Sequence, residues 1–121
     1  MAGVLNFTLD QGTDKTVSIQ LTTKDGTPLN LTGYTNFRCD LRLTPQDALI
    51  ASPIVSPVDL SVARIKIDIT KAQSSSIITK GKFYNDYTVI VYDIEADNPD
   101  GKRERLVNGN IKVSPEVTKD A

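Results

Sequence analysis

The sequence predicts an all-β protein, an immunoglobulin-like antiparallel β-sandwich with one short helical turn. Apolar and polar residues alternate with a period of two along most of the 121 residues, the pattern of a strand with one buried and one solvated face. Six or seven such runs follow at near-regular spacing, with turn-forming residues between them. This spacing is typical of two packed antiparallel sheets.

The first half of the chain contains three predicted strands. Alternating apolar residues mark the first two, over residues 5–9 and 17–21, and a cluster of turn-forming residues follows each of them. The third strand is predicted over residues 37–43, where Phe37, Cys39 and the leucines share one face. Cys39 is therefore expected to be a small buried apolar residue without chemistry.

Proline interrupts the pattern in the middle of the chain. Residues 44–57 contain three prolines, and because proline donates no ladder hydrogen bond, the segment is predicted to be a loop or an irregular edge strand. A strand rich in isoleucine follows over residues 63–69. Thr70 is then a candidate N-cap for a short helical turn within residues 70–78.

The second half is expected to form the most buried strand and a hairpin. Residues 84–94 are apolar on both faces, as in a central strand, and residues 98–101 form a strong turn signal. Gly109 in the last strand indicates a bulge or a close backbone approach. We therefore predict one domain over residues 1–113 and an extended tail over residues 114–121, ordered only where a partner holds it.

The composition excludes several classes of function. The 14 Lys and Arg residues nearly balance the 15 Asp and Glu residues, so no bulk field attracts nucleic acid or an anionic membrane, and no apolar run is long enough to span a bilayer. With no histidine and a single cysteine, the chain lacks a Ser-His-Asp triad, a Cys-His dyad, a His-ligated zinc site and an intrachain disulfide. We expect no enzyme, no cofactor and synthesis in a reducing cytoplasm, since no signal peptide opens the sequence.

A cluster of acidic residues near the second turn partly matches a calcium-binding loop. Asp93, Glu95, Asp97 and Glu104 have the spacing of the first, third, fifth and twelfth positions of that loop. Asn98 stands where the loop requires glycine, and the flanking segments are predicted strands instead of helices. The alternative interpretation is a solvated acidic hairpin tip.

Exposed charges and prolines supply the candidate interface residues. Alternating Arg38, Asp40 and Arg42 form either the solvated face of a sheet or a flat surface that docks on another subunit. The proline-rich segment, residues 1–4 and the tail are further contact candidates, because extended chain is ordered at low cost. The interface candidates are Arg38, Arg42, Pro45, Pro53, Pro57 and Pro115.

The four tyrosines separate two classes of function. A sugar-binding platform presents exposed aromatic rings, whereas core or corner tyrosines do not. If Tyr84 and Tyr92 are exposed on one face, a carbohydrate-binding or adhesion module is favoured, and if they lie in the core it is not.

The order of segments resembles a family of small bacteriophage virion structural proteins related to the N-terminal domain of siphophage baseplate upper proteins. The similar stretches are FTLDQG at residues 7–12, DGTPLNLTGY at residues 25–34, YTVIVYD at residues 87–93 and RLVNGNIKVSPEVT at residues 105–118. Together with the strands between them, they span nearly the whole chain.

The resemblance implies an immunoglobulin-like β-sandwich that acts as a virion part and carries over no catalytic residue. Its expected partners are other virion proteins in a symmetric assembly, as a homo-oligomer or in multiple copies, with neither nucleic acid nor membrane. The expected role is a non-enzymatic assembly or adaptor module of the tail, baseplate, collar or fibre attachment. The baseplate relatives continue into a C-terminal extension, so a sequence that ends at Ala121 favours a stand-alone adaptor, a collar or neck protein, or a capsid decoration. The alternatives are a capsid decoration protein and a carbohydrate-binding or adhesion module.

Overall fold

The computed structural model describes residues 3–79 and 86–117. Within these residues the chain forms nine strands, one 3₁₀ turn and one short helix. In chain order they are β1 (Gly3–Val4), β2 (Phe7–Asp10), β3 (Lys15–Gln20), β4 (Thr35–Arg42), β5 (Leu49–Ala51), β6 (Ile54–Asp59), the 3₁₀ turn (Leu60–Val62), β7 (Arg64–Ile69), α1 (Lys71–Ser75), β8 (Thr88–Asp97) and β9 (Arg103–Ser114).

The strands form two sheets that enclose one core. The larger sheet has the order β1-β9-β8-β4-β5, with β2 also paired to β9, and the smaller sheet has the order β3-β7-β6. This division, with β4, β8 and β9 in one sheet and β3, β7 and β6 in the other, is that of an immunoglobulin-like domain. The predicted fold class is therefore confirmed.

One pairing departs from a purely antiparallel sandwich. Both β1 and β2 run parallel to β9, with Gly3 opposite Val107 and Phe7 opposite Ile111. The N-terminal chain therefore closes the larger sheet beside the last strand, while all other strand pairs are antiparallel among the residues described.

Aliphatic side chains from both sheets fill the core. Cys39 on β4 is only 2% exposed, as its phase predicted. Antibody domains pack a tryptophan against a disulfide between the sheets, and this sequence has neither. The core is filled by branched aliphatic residues instead. On β7, β8 and β9 the most deeply buried of them are Ile65, Ile67, Ile69, Ile90, Ile94, Val107, Ile111 and Val113.

The proline-rich segment forms edge strands, which was one of the two predicted alternatives. Its chain leaves the larger sheet as β5 and enters the smaller sheet as β6, so it crosses between two sheet edges. Pro57 is exposed on the edge strand β6. Pro53 is buried at the crossing, so it was wrong as an interface candidate.

The helical turn begins at the predicted cap. The Thr70 hydroxyl oxygen accepts from the Gln73 backbone N–H at 3.2 Å, and the Gln73 side-chain oxygen accepts from the Thr70 N–H at 3.0 Å. Ser74 of α1 is fully buried, and its hydroxyl donates to the Thr13 carbonyl at 2.8 Å and accepts from the Gly12 N–H at 3.0 Å. The short helix is thus stabilised by the β2–β3 turn.

Strand β8 is buried on one face only, contrary to the prediction of a strand buried on both. Ile90, Tyr92 and Ile94 point into the core, whereas Tyr87 and Val89 remain 50% and 45% exposed. No third layer covers the outer face of the larger sheet in the part of the chain that is described. The predicted strand also began at residue 84, which lies outside the described residues, and β8 begins at Thr88.

The predicted tail is held by the domain itself up to residue 116. Strand β9 continues through Ser114, opposite Asp10, one residue beyond the predicted boundary. The Glu116 N–H donates to the Gln11 side-chain oxygen at 2.9 Å, and the Gln11 amide donates to the Ile77 carbonyl at 2.7 Å. These bonds order the start of the tail without a partner, and residues 118–121 lie outside the described part.

Gly109 marks a close backbone approach, as predicted. The parallel register of β1 and β2 with β9 continues across Leu5 and Asn6, but the chain turns inward between them. A side chain at Gly109 would meet the Leu5 carbonyl oxygen at 2.0 Å. That carbonyl accepts from the Tyr92 hydroxyl at 2.7 Å, and the Asn6 side-chain oxygen accepts from the Asn110 N–H at 2.8 Å.

We expect Gly109→Ala to lower the free energy of unfolding by about 1–3 kcal/mol, because the added methyl group overlaps backbone that is fixed on both sides. Gly3→Ala is the matched control. Its methyl group would lie 3.6 Å from the Leu21 side chain, an ordinary contact, so its effect should stay within about 0.5 kcal/mol. Urea unfolding of both variants tests this, and equal effects would contradict it.

Candidate functional site

Charged side chains cover the outer face of the larger sheet. We call this surface the charged face. It follows from strand alternation, because outward residues of β4 and β8 alternate with buried ones such as Cys39 and Ile94. Its members are Arg38, Asp40, Arg42, Asp93, Glu95, Asp97, Arg103 and Arg105.

Arginines lie beside carboxylates at several points of this face, and the row of Arg38, Glu95 and Arg105 alternates in charge across three strands. Arg105 Nε lies 3.4 Å from Asp93 Oδ2, and Arg103 Nε lies 3.9 Å from Asp97 Oδ1. Arg38 reaches two carboxylates, with Nε 3.8 Å from Glu95 and Nη2 3.6 Å from Asp97. Four arginines therefore match four carboxylates, and the face carries no net charge. Partly exposed ion pairs of this kind contribute little to folding stability.

Two guanidinium nitrogens of Arg38 form ion pairs but no hydrogen bond with the described residues. Its Nε and Nη2 atoms are shielded from solvent, yet neither makes a hydrogen bond. The distances of 3.8 Å and 3.6 Å to Glu95 and Asp97 are those of ion pairs and exceed hydrogen-bond lengths. Both donors lie beside these two carboxylates and are closed off from solvent, so they belong to the ion-pair cluster of the charged face.

Two carboxylates oppose each other in the middle of the face. Asp40 on β4 is the register partner of Asp93 on β8. Arg42 Nη2 lies 3.4 Å from Asp40 Oδ2, and Ser52 donates to the other Asp40 oxygen at 2.9 Å. Burial raises the pKa of Asp93 above its usual value, the charge of Glu95 adds to this effect, and Arg105 opposes it.

A shallow groove of about 360 Å³ runs along this face. Its walls include Arg42, Pro45, Asp93, Glu95 and Arg105. Aliphatic Val91 and the backbone around Gly109 form part of its floor. The groove is open to solvent.

The acidic residues of the predicted calcium loop do not converge. Asp93, Glu95 and Asp97 alternate along an extended strand, which separates successive members by about 6.6 Å along the chain. Glu104 lies opposite buried Ala96 and turns away from them. Its carboxylate accepts from the Tyr34 hydroxyl at 3.1 Å and from the Asn98 amide at 2.7 Å. No three acidic, cysteine or histidine side chains of the described segments are placed to hold a metal ion.

The predicted interface residues are divided between several surfaces. Arg38, Arg42 and Pro45 lie on or beside the charged face. Pro57 lies on the distant edge strand β6, and Pro115 is half-buried after β9. The structure thus brings together three of the six candidates.

The tyrosine on which the sugar-binding alternative depends is a core residue. Tyr92 is 3% exposed, and its ring packs edge-on against that of Phe7 with 5.4 Å between the ring centroids. Burial raises the pKa of Tyr92 to about 12. Tyr84 lies outside the described residues. Burial likewise raises the pKa of Cys39 to about 12, so its thiol is poorly ionised and unreactive.

Sequence reasoning did not anticipate the apolar border of the charged face. Three apolar side chains are each about half exposed: Leu49 on β5, Tyr87 just before β8 and Val89 near its start. Leu49 is the register partner of Arg42, so this border continues directly from the charged rows. The apolar pattern on both faces of residues 87–94 was the available signal, but it was assigned to burial within the domain.

Comparisons with known proteins show structural similarity alone. No protein-family model matches the chain, and no curated protein matches it. Among solved structures the chain is similar to that of murine CRIg, with 12% sequence identity, 92% of each chain covered and a TM-score of 0.41. None of the helices in residues 3–79 and 86–117 is long and apolar enough to cross a membrane.

We expect Asp93→Asn to gain stability relative to the wild type as pH rises. At about pH 3 and below, under the usual aspartate pKa of about 3.9, the carboxyl group is mostly protonated in both folded and unfolded chains and resembles the amide. At higher pH the unfolded chain releases its proton first, because the native pKa is raised, so the wild type loses stability until the native carboxyl also ionises. Urea unfolding at several pH values between about 3 and 7 measures the difference. A difference that shrinks with rising pH would contradict this prediction.

Proposed function

We propose that the protein is a bacteriophage virion structural protein, a non-enzymatic assembly or adaptor module of the tail, baseplate, collar or fibre attachment. It would be made in the bacterial host cytoplasm and reside in the virion. The observation that carries the proposal is the charged face, an outer sheet surface with four arginines, four carboxylates and an exposed apolar border.

The chemistry of this face suits protein contact. Charged side chains align the two binding surfaces and discriminate between partners. The neighbouring apolar border supplies apolar surface that is buried on binding. A partner surface with arginines and carboxylates at complementary positions would pair with the exposed charges and fill the groove. Repetition in a symmetric assembly then converts modest contacts into stable attachment. The resemblance to small virion proteins supplies the phage context of the proposal.

Capsid decoration uses the same kind of surface and differs in copy number. The carbohydrate-binding alternative is less favoured, because Tyr92 is a core residue and cannot stack on a sugar ring.

Peptide mass spectrometry with copy-number quantification on purified particles tests the role, with heads and tails separated before digestion. Enrichment in tails at a multiple of three or six copies per particle supports the adaptor. Hundreds of copies on heads indicate a capsid decoration instead. Absence from both fractions refutes a virion role.

We expect Arg105→Glu to reduce incorporation into particles by about tenfold, because it places a second negative charge beside Asp93 and breaks the matched rows. Lys24→Glu is the control, since Lys24 is exposed in a turn outside the face. Both variants should remain folded, with Lys24→Glu unchanged in urea unfolding and Arg105→Glu lowered modestly, because the new glutamate lies opposite Glu95. Incorporation in a complementation assay is the readout, and equal incorporation of both variants would argue against the charged face as the interface.

A further inference from the structure

Strand β3 has one long edge without a neighbour. It is the terminal strand of the smaller sheet and pairs only with β7 in the described part of the chain. Its neutral segment between Lys15 and Leu21 reads TVSIQ and contains no proline. An unprotected edge of this kind is a template for another strand.

The hydrogen-bond register shows which groups face the free edge. The Leu21 N–H donates to the Ala63 carbonyl at 3.1 Å, so the odd-numbered residues of β3 exchange backbone hydrogen bonds with β7. The even-numbered residues therefore direct their backbone N–H and C=O groups away from β7. These residues are Thr16, Ser18 and Gln20, and the side chain of each is exposed.

The other terminal strands of the two sheets are protected in the described chain. Strand β6 carries Pro57 and Asp59 together with a register shift, and β5 is only three residues long. The N-terminal strands are interrupted at Leu5 and Asn6. Short strands, prolines, charges and irregularities are the usual protection against edge pairing, and the middle of β3 has none of them.

A groove beside β3 provides space for the side chains of an added strand. It has a volume of about 270 Å³ and lies between β1 and β3, at the gap between the two sheets. Its lining includes apolar Val4, Leu5, Ile19, Leu21 and Val107. A strand added to β3 would place alternate side chains over this apolar lining.

We propose that the occupant of this edge is β3 of a second copy of the chain, paired antiparallel about a two-fold axis at Ser18. Thr16 then lies opposite Gln20 of the second copy, and Ser18 lies opposite its own counterpart. All three outward N–H and C=O pairs find partners in this register. An axis at Val17 or Ile19 leaves one of the three opposite a residue beyond β3.

Side chains match in the same register. Polar Thr16 and Gln20 meet on the outer face, and apolar Val17 meets Ile19 over the groove. No charge opposes a like charge within the pairing, which would be destabilising between facing strands. The two smaller sheets would join into one continuous sheet. This inference rests on the β3 edge alone and does not depend on the proposed virion role.

Ser18→Glu tests the pairing with a matched control at Ser56. Both serines are register partners of Lys66, one from each side, so either substitution places a glutamate beside the same lysine in its own sheet. Only the Ser18 variant would bring two glutamates together across the two-fold axis. Sedimentation velocity over a concentration series should show a reversible wild-type dimer, weakened about fivefold or more by Ser18→Glu and unchanged by Ser56→Glu.

A cross-linking experiment reports the geometry directly. In Ser18→Cys the two introduced cysteines would lie opposite each other across the two-fold axis. Their Cα atoms would be about 5.5 Å apart, a distance that a disulfide can span. Mild oxidation should give a covalent dimer with Ser18→Cys and none with Ser56→Cys, and buried Cys39 does not interfere. A chain that remains monomeric up to about 1 mM overturns the proposal and would leave the edge to a strand of a different protein. Equal weakening by both glutamate variants also overturns it.

Discussion

The fold depends on one junction, where the N-terminal chain meets the last strand. Gly109 has no side chain, so the Leu5 carbonyl enters the core and accepts the hydroxyl hydrogen bond of buried Tyr92. The inward turn deprives the last strand of one backbone acceptor, and the Asn6 side chain replaces it for the Asn110 N–H. Polar groups in a folded protein need hydrogen-bond partners. Here the Tyr92 hydroxyl pairs with the Leu5 carbonyl, and the Asn6 side chain pairs with the Asn110 N–H. Tyr92 therefore fixes the chain between β1 and β2, and the pairing of these two strands with β9 holds the rest of the N-terminal segment.

The charged face is a consequence of the same layering. Each residue of β4 or β8 that fills the core forces its neighbours outward, and the outer face of this sheet has no further layer over it in the described chain. Those neighbours are charged in matched pairs, which keeps the surface neutral but highly patterned. A neutral pattern gives no long-range attraction, so recognition at this face depends on register with a partner of complementary rows.

Local sequence signals predicted the strands and the helical turn well. Features that depend on side-chain contacts between distant residues were not predicted. The Thr70 cap and the glycine at position 109 act within a few residues or require a special backbone, so they are visible in sequence. The tail was predicted to be free because nothing in residues 114–121 reveals that Gln11 holds Glu116 from a distant turn. The calcium spacing failed for a related reason, since equal spacing brings carboxylates together in a loop and spreads them along a strand.

The edge of β3 is unpaired because the N-terminal chain pairs with β9 of the larger sheet. A single extended segment borders the gap between the sheets, and its register with β9, its turn at Leu5 and the Tyr92 hydrogen bond commit it to the larger sheet. The smaller sheet then has no strand left to cover β3 among the described residues. The interactions that close one sheet thus leave the other open, and the exposed groups of Thr16, Ser18 and Gln20 are arranged so that the same strand of a second copy satisfies them.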